Sequence, residues 1–553
     1  MAIVQTPQYW IKKIAVIGVV AILAACGGGG GGSNSGSGSS SSNGSGSGSV
    51  TPPPVEVDIT PDSFAFEAKN DAMPGEIYTS NAITVSGINA AAPVSITGGE
   101  YAIDNGNFTS AAATVSAGQT IVVRATAAST LDSIVDVVLT IGGVKGTYSI
   151  ITPVDETAPT AEFMFPPPVS MTDGESIRVR GVTSDDYSKI LNVKINGEEV
   201  KPTGDNFATW EADVPLDPGN NLLVVETTDA VGNTSTNAAE VRVHRGAITK
   251  AFPDEANQFN GVVGFVIDRL DDRNRLITIG GDTPEVINVD LSTGERTYFI
   301  NSQPFGPGNS IWDVALDKQG KEVYFRSYST ILAQPLDGGA SREMSTTKLS
   351  GGMVLTLDNI DKDLKVVMVG SDGGINIIVT NSAFSEFTKL SPTAEDPENL
   401  LGWSSYGLTL DRVNGRYLIT DAVNQNIVAV DRTTGIQSIF SSNDDVGNGD
   451  SFADKEVAFI GGIAVDEENL RAIVAEIGSG KLFSIDLTTG DRTLISSPEI
   501  PNANVAMEYI YDIKINTPAS YAFVADNGLK AVVAVDLVTG HRVVFSKSVT
   551  AAP

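Results

Sequence analysis

From Val55 onward the chain is written almost entirely in short runs of alternating apolar and polar residues, separated by Gly, Asn and Asp. Alternation with a period of two marks strands with one face buried, and Gly/Asn/Asp clusters mark the turns between them. Residues 55–152 contain runs such as Ala82-Ile83-Thr84-Val85-Ser86 and Gln119-Thr120-Ile121-Val122-Val123-Arg124, divided by Gly98-Gly99 and Asp104-Asn105-Gly106-Asn107. Residues 156–246 repeat the theme with Ser176-Ile177-Arg178-Val179-Arg180-Gly181, the hairpin Val193-Lys194-Ile195-Asn196-Gly197, Trp210, and Asn221-Leu222-Leu223-Val224-Val225-Glu226. Each segment predicts an all-β sandwich.

Beyond residue 246 the pattern becomes periodic. Runs ending in Asp or Asn recur at roughly 50-residue intervals: Phe265 to Asp268, Val314 to Asp317, Leu355 to Asp358, Leu408 to Asp411, Ile463 to Asp466 and Ile513 to Asn516. Second strands follow, as in Tyr417-Leu418-Ile419-Thr420-Asp421 and Tyr521 to Asp526, and third strands, as in Ile427-Val428-Ala429-Val430-Asp431. A Thr-Gly turn leads to a fourth strand at Thr293-Gly294, Thr434-Gly435, Thr489-Gly490 and Thr539-Gly540. Unit two carries Asp337-Gly338-Gly339 at that turn and unit three lacks it. Four strands in each of six units predict a six-bladed β-propeller over 247–553. All four strands of the last blade fall before Lys547, so a strand from Ala247 to Phe252 is not needed to complete it.

The first 54 residues are of another kind. Lys12 and Lys13 precede twelve apolar residues, Ile14 to Ala25, and then Cys26, the only cysteine. A spanning helix needs about 20 apolar residues and a signal h-region about 7–15. Leu23-Ala24-Ala25-Cys26 resembles the lipobox of a bacterial lipoprotein. That resemblance implies a signal peptide over 1–25, a lipidated Cys26, and an extracytoplasmic protein held to a membrane by its anchor. Gly27 in place of Asp implies the outer membrane or cell surface. Residues 27–49 are Gly, Ser and Asn alone and, with Pro52-Pro53-Pro54, close a tether over 26–54. Such a coil has a typical end-to-end distance of about 25 Å.

The net charge of −31 argues against nucleic-acid binding, because phosphate backbones repel such a chain. One cysteine excludes a disulfide framework, and two distant histidines, His244 and His541, give little basis for a zinc site or a serine–histidine triad.

The segment 156–246, with its Asn-Gly turn and the late Asp229-Ala230-Val231-Gly232-Asn233 turn, resembles the bacterial Ig-like modules of cell-surface proteins. Asp229 reads either as a calcium ligand or as the cap of an Asx turn. The C-terminal repeats resemble NHL propellers and the SGL (gluconolactonase-like) propellers, and Asp421-Ala422-Val423-Asn424-Gln425-Asn426-Ile427 looks like an NHL unit. The second resemblance implies two alternatives, a binding head or a lactonase-type hydrolase. A gluconolactonase-like metal shell needs Asn-Gly at the start of a channel strand, where this chain has Tyr406-Gly407 and Gly461-Gly462. No Gly-x-Ser-x-Gly, HExxH or P-loop occurs, so no catalytic residue is assigned.

In a propeller the first strand of each blade lines the channel. The positions opening those strands are Val263, Trp312, Met353, Tyr406, Gly461 and Tyr511, followed by Asp313 in blade two and Asp512 in blade six. Trp403 lies close by, and the second strands end at Arg326, Asp421, Glu476 and Asp526. Together these predict a ring of aromatics and carboxylates at one mouth, able to stack a sugar and accept its hydroxyls, to take a peptide or protein, or to hold a hard cation such as calcium. They serve equally as wedges between blades and caps of turns. No motif calls for a cofactor. The expected whole is an anchored display protein: tether, two Ig-like modules as a stalk, propeller as recognition head. A purely structural envelope protein is the remaining alternative. Cys26→Ser is expected to move the protein from the membrane pellet to the soluble fraction and to abolish palmitate labelling.

Overall fold

The computed structural model describes residues 56–553, apart from 282–284, 301–309, 328–329, 346–353, 362, 372–374, 392–398, 403, 445, 454–457, 500–504, 508, 518–519 and 551–553. Cys26, Met353 and Trp403 lie outside the described residues. Apart from a 3₁₀ turn at Asp205–Phe207, the regular elements are strands.

The first sandwich packs the strands Ile77–Thr79, Ile83–Thr84, Glu100–Ile103 and Thr120–Thr126 against Ala92–Thr97, Ala113–Val115, Ile134–Ile141 and Val144–Ile151. Its core draws Ile121, Val123 and Tyr101 from one sheet and Val94, Val137, Leu139 and Tyr148 from the other. The second sandwich centres on Trp210, 1% exposed, whose ring stands edge-on to Phe163 and whose Nε1–H donates to Thr183 Oγ1 at 2.8 Å. Gly181 makes room for that ring, since a β-carbon there would fall 2.0 Å from the indole.

Six blades of four antiparallel strands follow, five as separate sheets and the last as part of a larger one. Their innermost strands are Gly264–Asp268, Asp313–Asp317, Leu355–Asp358, Ser405–Asp411, Phe459–Asp466 and Ile510–Asn516, and each sheet runs outward in chain order. Two local devices recur. In the turn into the fourth strand, Asp431 Oδ1 accepts from the amides of Thr433 and Thr434, and Gly435 takes a φ of 74°. Asp486 with Gly490 repeats this arrangement, as does Asp290 with Gly294. Only glycine adopts such a φ without strain. At the same end of the blade, the aspartate closing the inner strand turns back on an arginine of the second: Asp268–Arg275, Asp411–Arg416 and Asp466–Arg471, at 2.7–2.9 Å.

The residue two past the turn glycine reaches into the preceding blade. Arg492 donates to Ser441 Oγ and Ser442 O of blade four, and Arg542 to Ser496 Oγ of blade five and Gly480 O. Each serine hydroxyl donates in turn to the carbonyl of the turn glycine, Gly490 or Gly540. In blade four Gln437 takes the place of arginine and donates to Ser391 Oγ of blade three. Arg296 of blade one does the same to blade six, donating to Ser546 Oγ, Lys547 O and Phe252 O at 2.7–3.0 Å. The ring therefore closes without exchanging a strand between the two chain ends. Phe252 adds an antiparallel bridge to Lys547 outside an already complete blade.

The second sandwich is not a free module. Its strand Val169–Thr172 pairs in parallel with Thr234–Arg245 and bridges through Met171 to Val544 of blade six, making one nine-stranded sheet. Arg180 forms a bidentate pair at 2.6 and 2.7 Å with Asp536, which is fully buried. A single apolar cluster runs from Trp210 through Phe165 to Tyr521 and Phe523.

Arg296→Ala leaves the carbonyls of Phe252 and Lys547 without this partner and is expected to lower the unfolding free energy by about 3 kcal/mol. Arg296→Gln should lose less, as Gln437 serves blade four. Urea unfolding monitored by tryptophan fluorescence distinguishes the two.

Candidate functional site at the channel mouth

The inner strands enter the channel from the mouth where the aromatic positions lie. Trp312, Tyr406 and Tyr511 are each half-exposed there, and Val263 is buried. Tyr406 and Tyr511 meet edge-to-face with centroids 6.3 Å apart, although blade five separates their blades. Glycines allow this approach. A β-carbon on Gly407 would fall 2.7 Å from Gly461 O, and one on Gly462 2.8 Å from Asp512 Cα.

The three aromatics and Asp313, Asp512 and Lys514 together line a cavity of about 40 Å³. One water occupies about 30 Å³ of liquid, and ligand pockets run from about 300 Å³. This cavity therefore does not take a sugar ring.

The two aspartates have matched structural jobs. Asp313 Oδ1 accepts from its neighbour Val314 N, and Oδ2 from Leu355 N of blade three, both at 2.7 Å. Asp512 Oδ1 accepts from Ile513 N, and Oδ2 from Phe265 N of blade one at 3.1 Å. Each carboxylate thus ties its blade to the next. Lys514 Nζ donates to Asp512 Oδ1. Burial first, and the Asp512 carboxylate second, push Asp313 up to about 7, against the opposing influence of Lys514 and the two amides.

Arg326 pairs in register with Asp313 on the neighbouring strand and is fully buried, donating to Val369 O and Met368 Sδ of blade three. Burial pushes its guanidinium down to about 10, so it stays charged at neutral pH. It supports the ring from beneath and presents no surface to a ligand.

Asp421, Glu476 and Asp526 do not join the collar. All three are fully buried and turned into the loops of their own blades. Asp421 accepts from Val423 N, Asn424 Nδ2 and Gly402 N; Glu476 from Ala453 N and Ser479 Oγ; Asp526 from Leu529 N. A strand-end carboxylate facing a tight turn meets several unpaired amides, and it satisfies them before any ligand arrives.

Sequence reasoning passed over Lys514. The signal was present, because alternation puts Asp512 and Lys514 on the same face of one strand. It also passed over the opposite mouth, a funnel of about 410 Å³ lined by Leu316, Leu357, Val465 and Ile515 with Lys318 and Arg412.

Fold and site together describe a two-sandwich, six-bladed propeller protein with an aromatic collar over a blocked channel. No protein-family model and no curated protein matches the chain. Among solved structures it is similar to a protein of unknown function from Bacteroides thetaiotaomicron VPI-5482 (16% identity, 68% of this chain and 98% of that one, TM-score 0.40). It is also similar to an auxiliary nutrient binding protein from the same organism, at 12% identity over 70% and 98% of the two chains (TM-score 0.41). A chain of a nidogen/laminin complex aligns at 17% identity over 47% and 89%, with a TM-score of 0.37.

An acid whose folded-state pKa is raised favours the fold while protonated. The contribution of Asp313 is therefore full below about 4 and is lost as pH climbs through about 7. Stability of the wild type should fall across that window, and Asp313→Asn should flatten the fall. Denaturant midpoints measured at several pH values for both proteins check this.

Proposed function

We propose that the chain is a lipid-anchored cell-envelope binding protein whose propeller recognises an extracellular polypeptide through the Trp312–Tyr406–Tyr511 collar. The observation that carries this reading is the contrast between collar and cavity. Three partly exposed aromatics converge, while the cavity they line with Asp313, Asp512 and Lys514, about 40 Å³, admits no more than the tip of one side chain. Aromatics at such positions supply most of the binding energy in protein interfaces, because they bury large area with few rotors. A glycan lying flat on the collar is the alternative ligand of the same surface.

The address comes from Cys26 and its lipobox, with the tether over 26–54 providing reach. Two sandwiches then stand between tether and ring along the chain and would add to that reach. A hydrolase of the lactonase type draws less support. The channel carboxylates Asp313 and Asp512 are engaged by backbone amides, and Tyr406 and Gly461 stand where that resemblance calls for an amide side chain.

The test is capture from envelope fractions and culture medium by the full chain, in parallel with a glycan array. Trp312→Ala and Tyr511→Ala are each expected to weaken the captured interaction by tenfold or more, which is about 1.4 kcal/mol or above. Val413→Ala, at an exposed turn on the far face, should leave it unchanged. A partner retained by both collar variants overturns the assignment of the surface, and an array signal lost in both makes the ligand a glycan.

A further inference from the structure

Three carboxylates from separate parts of the chain meet where the two sandwiches join. Asp155 lies in the connection between them, Asp185 just after the strand Ser176–Ser184, and Asp229 at the end of the strand Gly219–Asp229. One oxygen from each lies within 4.8 Å of the others. Local donors satisfy part of the set. Asp229 Oδ1 accepts from the amides of Val231, Gly232 and Asn233 at 2.7–3.0 Å, and Oδ2 from Asn233 Nδ2 at 2.9 Å. Asp185 Oδ1 accepts from Tyr187 N and Ser188 N, and Asp155 Oδ1 from Thr157 N and Oγ1.

Asp155 Oδ2 is different. It is buried, on a residue only 9% exposed, and has no hydrogen-bond donor. A buried carboxylate oxygen without a donor is costly, and bringing two more carboxylates up to the same residue adds repulsion. Among the described residues, no lysine or arginine forms an ion pair with any of the three. A cation in their midst removes both penalties.

We propose that Asp155, Asp185 and Asp229 bind one calcium ion at the sandwich junction. The protein ligands are all hard oxygens, with no histidine or cysteine, which selects against zinc and the softer metals. Three carboxylates from a connection and two loops suit the large, irregular shell of calcium, completed by water or carbonyls. Magnesium demands a short, near-ideal octahedron. The ion ties the connection between sandwiches to two loops of the second sandwich, so it fixes the angle at which one stands on the other.

The experiment is calorimetric titration of calcium into the full, chelator-stripped chain in 0.15 M salt, with thermal melts alongside. One saturable site is expected, with a Kd of roughly 0.1–1 mM, as in extracellular modules. Asp185→Asn and Asp155→Asn should each weaken it at least tenfold. Calcium should raise the melting temperature of the wild type and leave that of Asp155→Asn unmoved, while the metal-free variant melts no lower than the metal-free wild type. If Asp155→Asn does not fold, Asp185→Asn, a half-exposed position, carries the comparison. No saturable binding up to about 10 mM, tenfold above the weakest such modules, overturns the proposal. Binding undiminished in the variants overturns it too, as the mark of diffuse attraction to an acidic surface. Equal displacement by magnesium overturns the choice of calcium.

Discussion

The propeller depends on one contact, repeated around the ring: a buried cation from the turn into the fourth strand, inserted among the carbonyls and serine of the blade before it. Arg296, Arg492 and Arg542 make it, and Gln437 substitutes once. A guanidinium suits the place because its planar fork presents five donors to acceptors arranged around a plane. Burial pushes Arg542 down to about 10, so the charge survives at neutral pH. The serine between guanidinium and glycine carbonyl links the contact to the turn that creates it. Where a blade has the Thr-Gly turn, that turn sets this contact with the blade before it. Blade two, where the turn is altered, has Arg342 pairing instead with Glu322 of its own sheet.

Closure by side chains leaves a tight channel. Glycines at Gly407, Gly461 and Gly462 draw blades four to six together, and the carboxylates of Asp313 and Asp512 bind the next inner strand on either side of the ring. The same groups that hold the blades obstruct the channel. Space for a ligand is thereby left at the rim, where the aromatics remain partly exposed.

The propeller was legible because each blade repeats a local rule that needs no distant partner: alternation, a strand-ending aspartate, Thr-Gly. The collar was legible for the same reason, since alternation fixes which residues face the channel. Asp421, Glu476 and Asp526 were grouped with it because they lie at the right height. Height along a strand does not set where a side chain points once a turn with free amides is within reach. The docking of the second sandwich was not legible. It depends on a bridge between Met171 and Val544 and on a pair between Arg180 and Asp536, and neither partner carries a local mark of the other.

The nine-stranded sheet shared by the second sandwich and blade six has a mechanical consequence. Under the proposed anchoring and partner binding, tension entering from the amino-terminal side would reach the propeller at the outer edge of its last blade. The seam between the first and last blades, with Arg296 and the Phe252–Lys547 bridge, lies at that same edge. Such a load would be delivered beside the joint that keeps the ring shut, and the strength of that joint would limit the pull the head withstands.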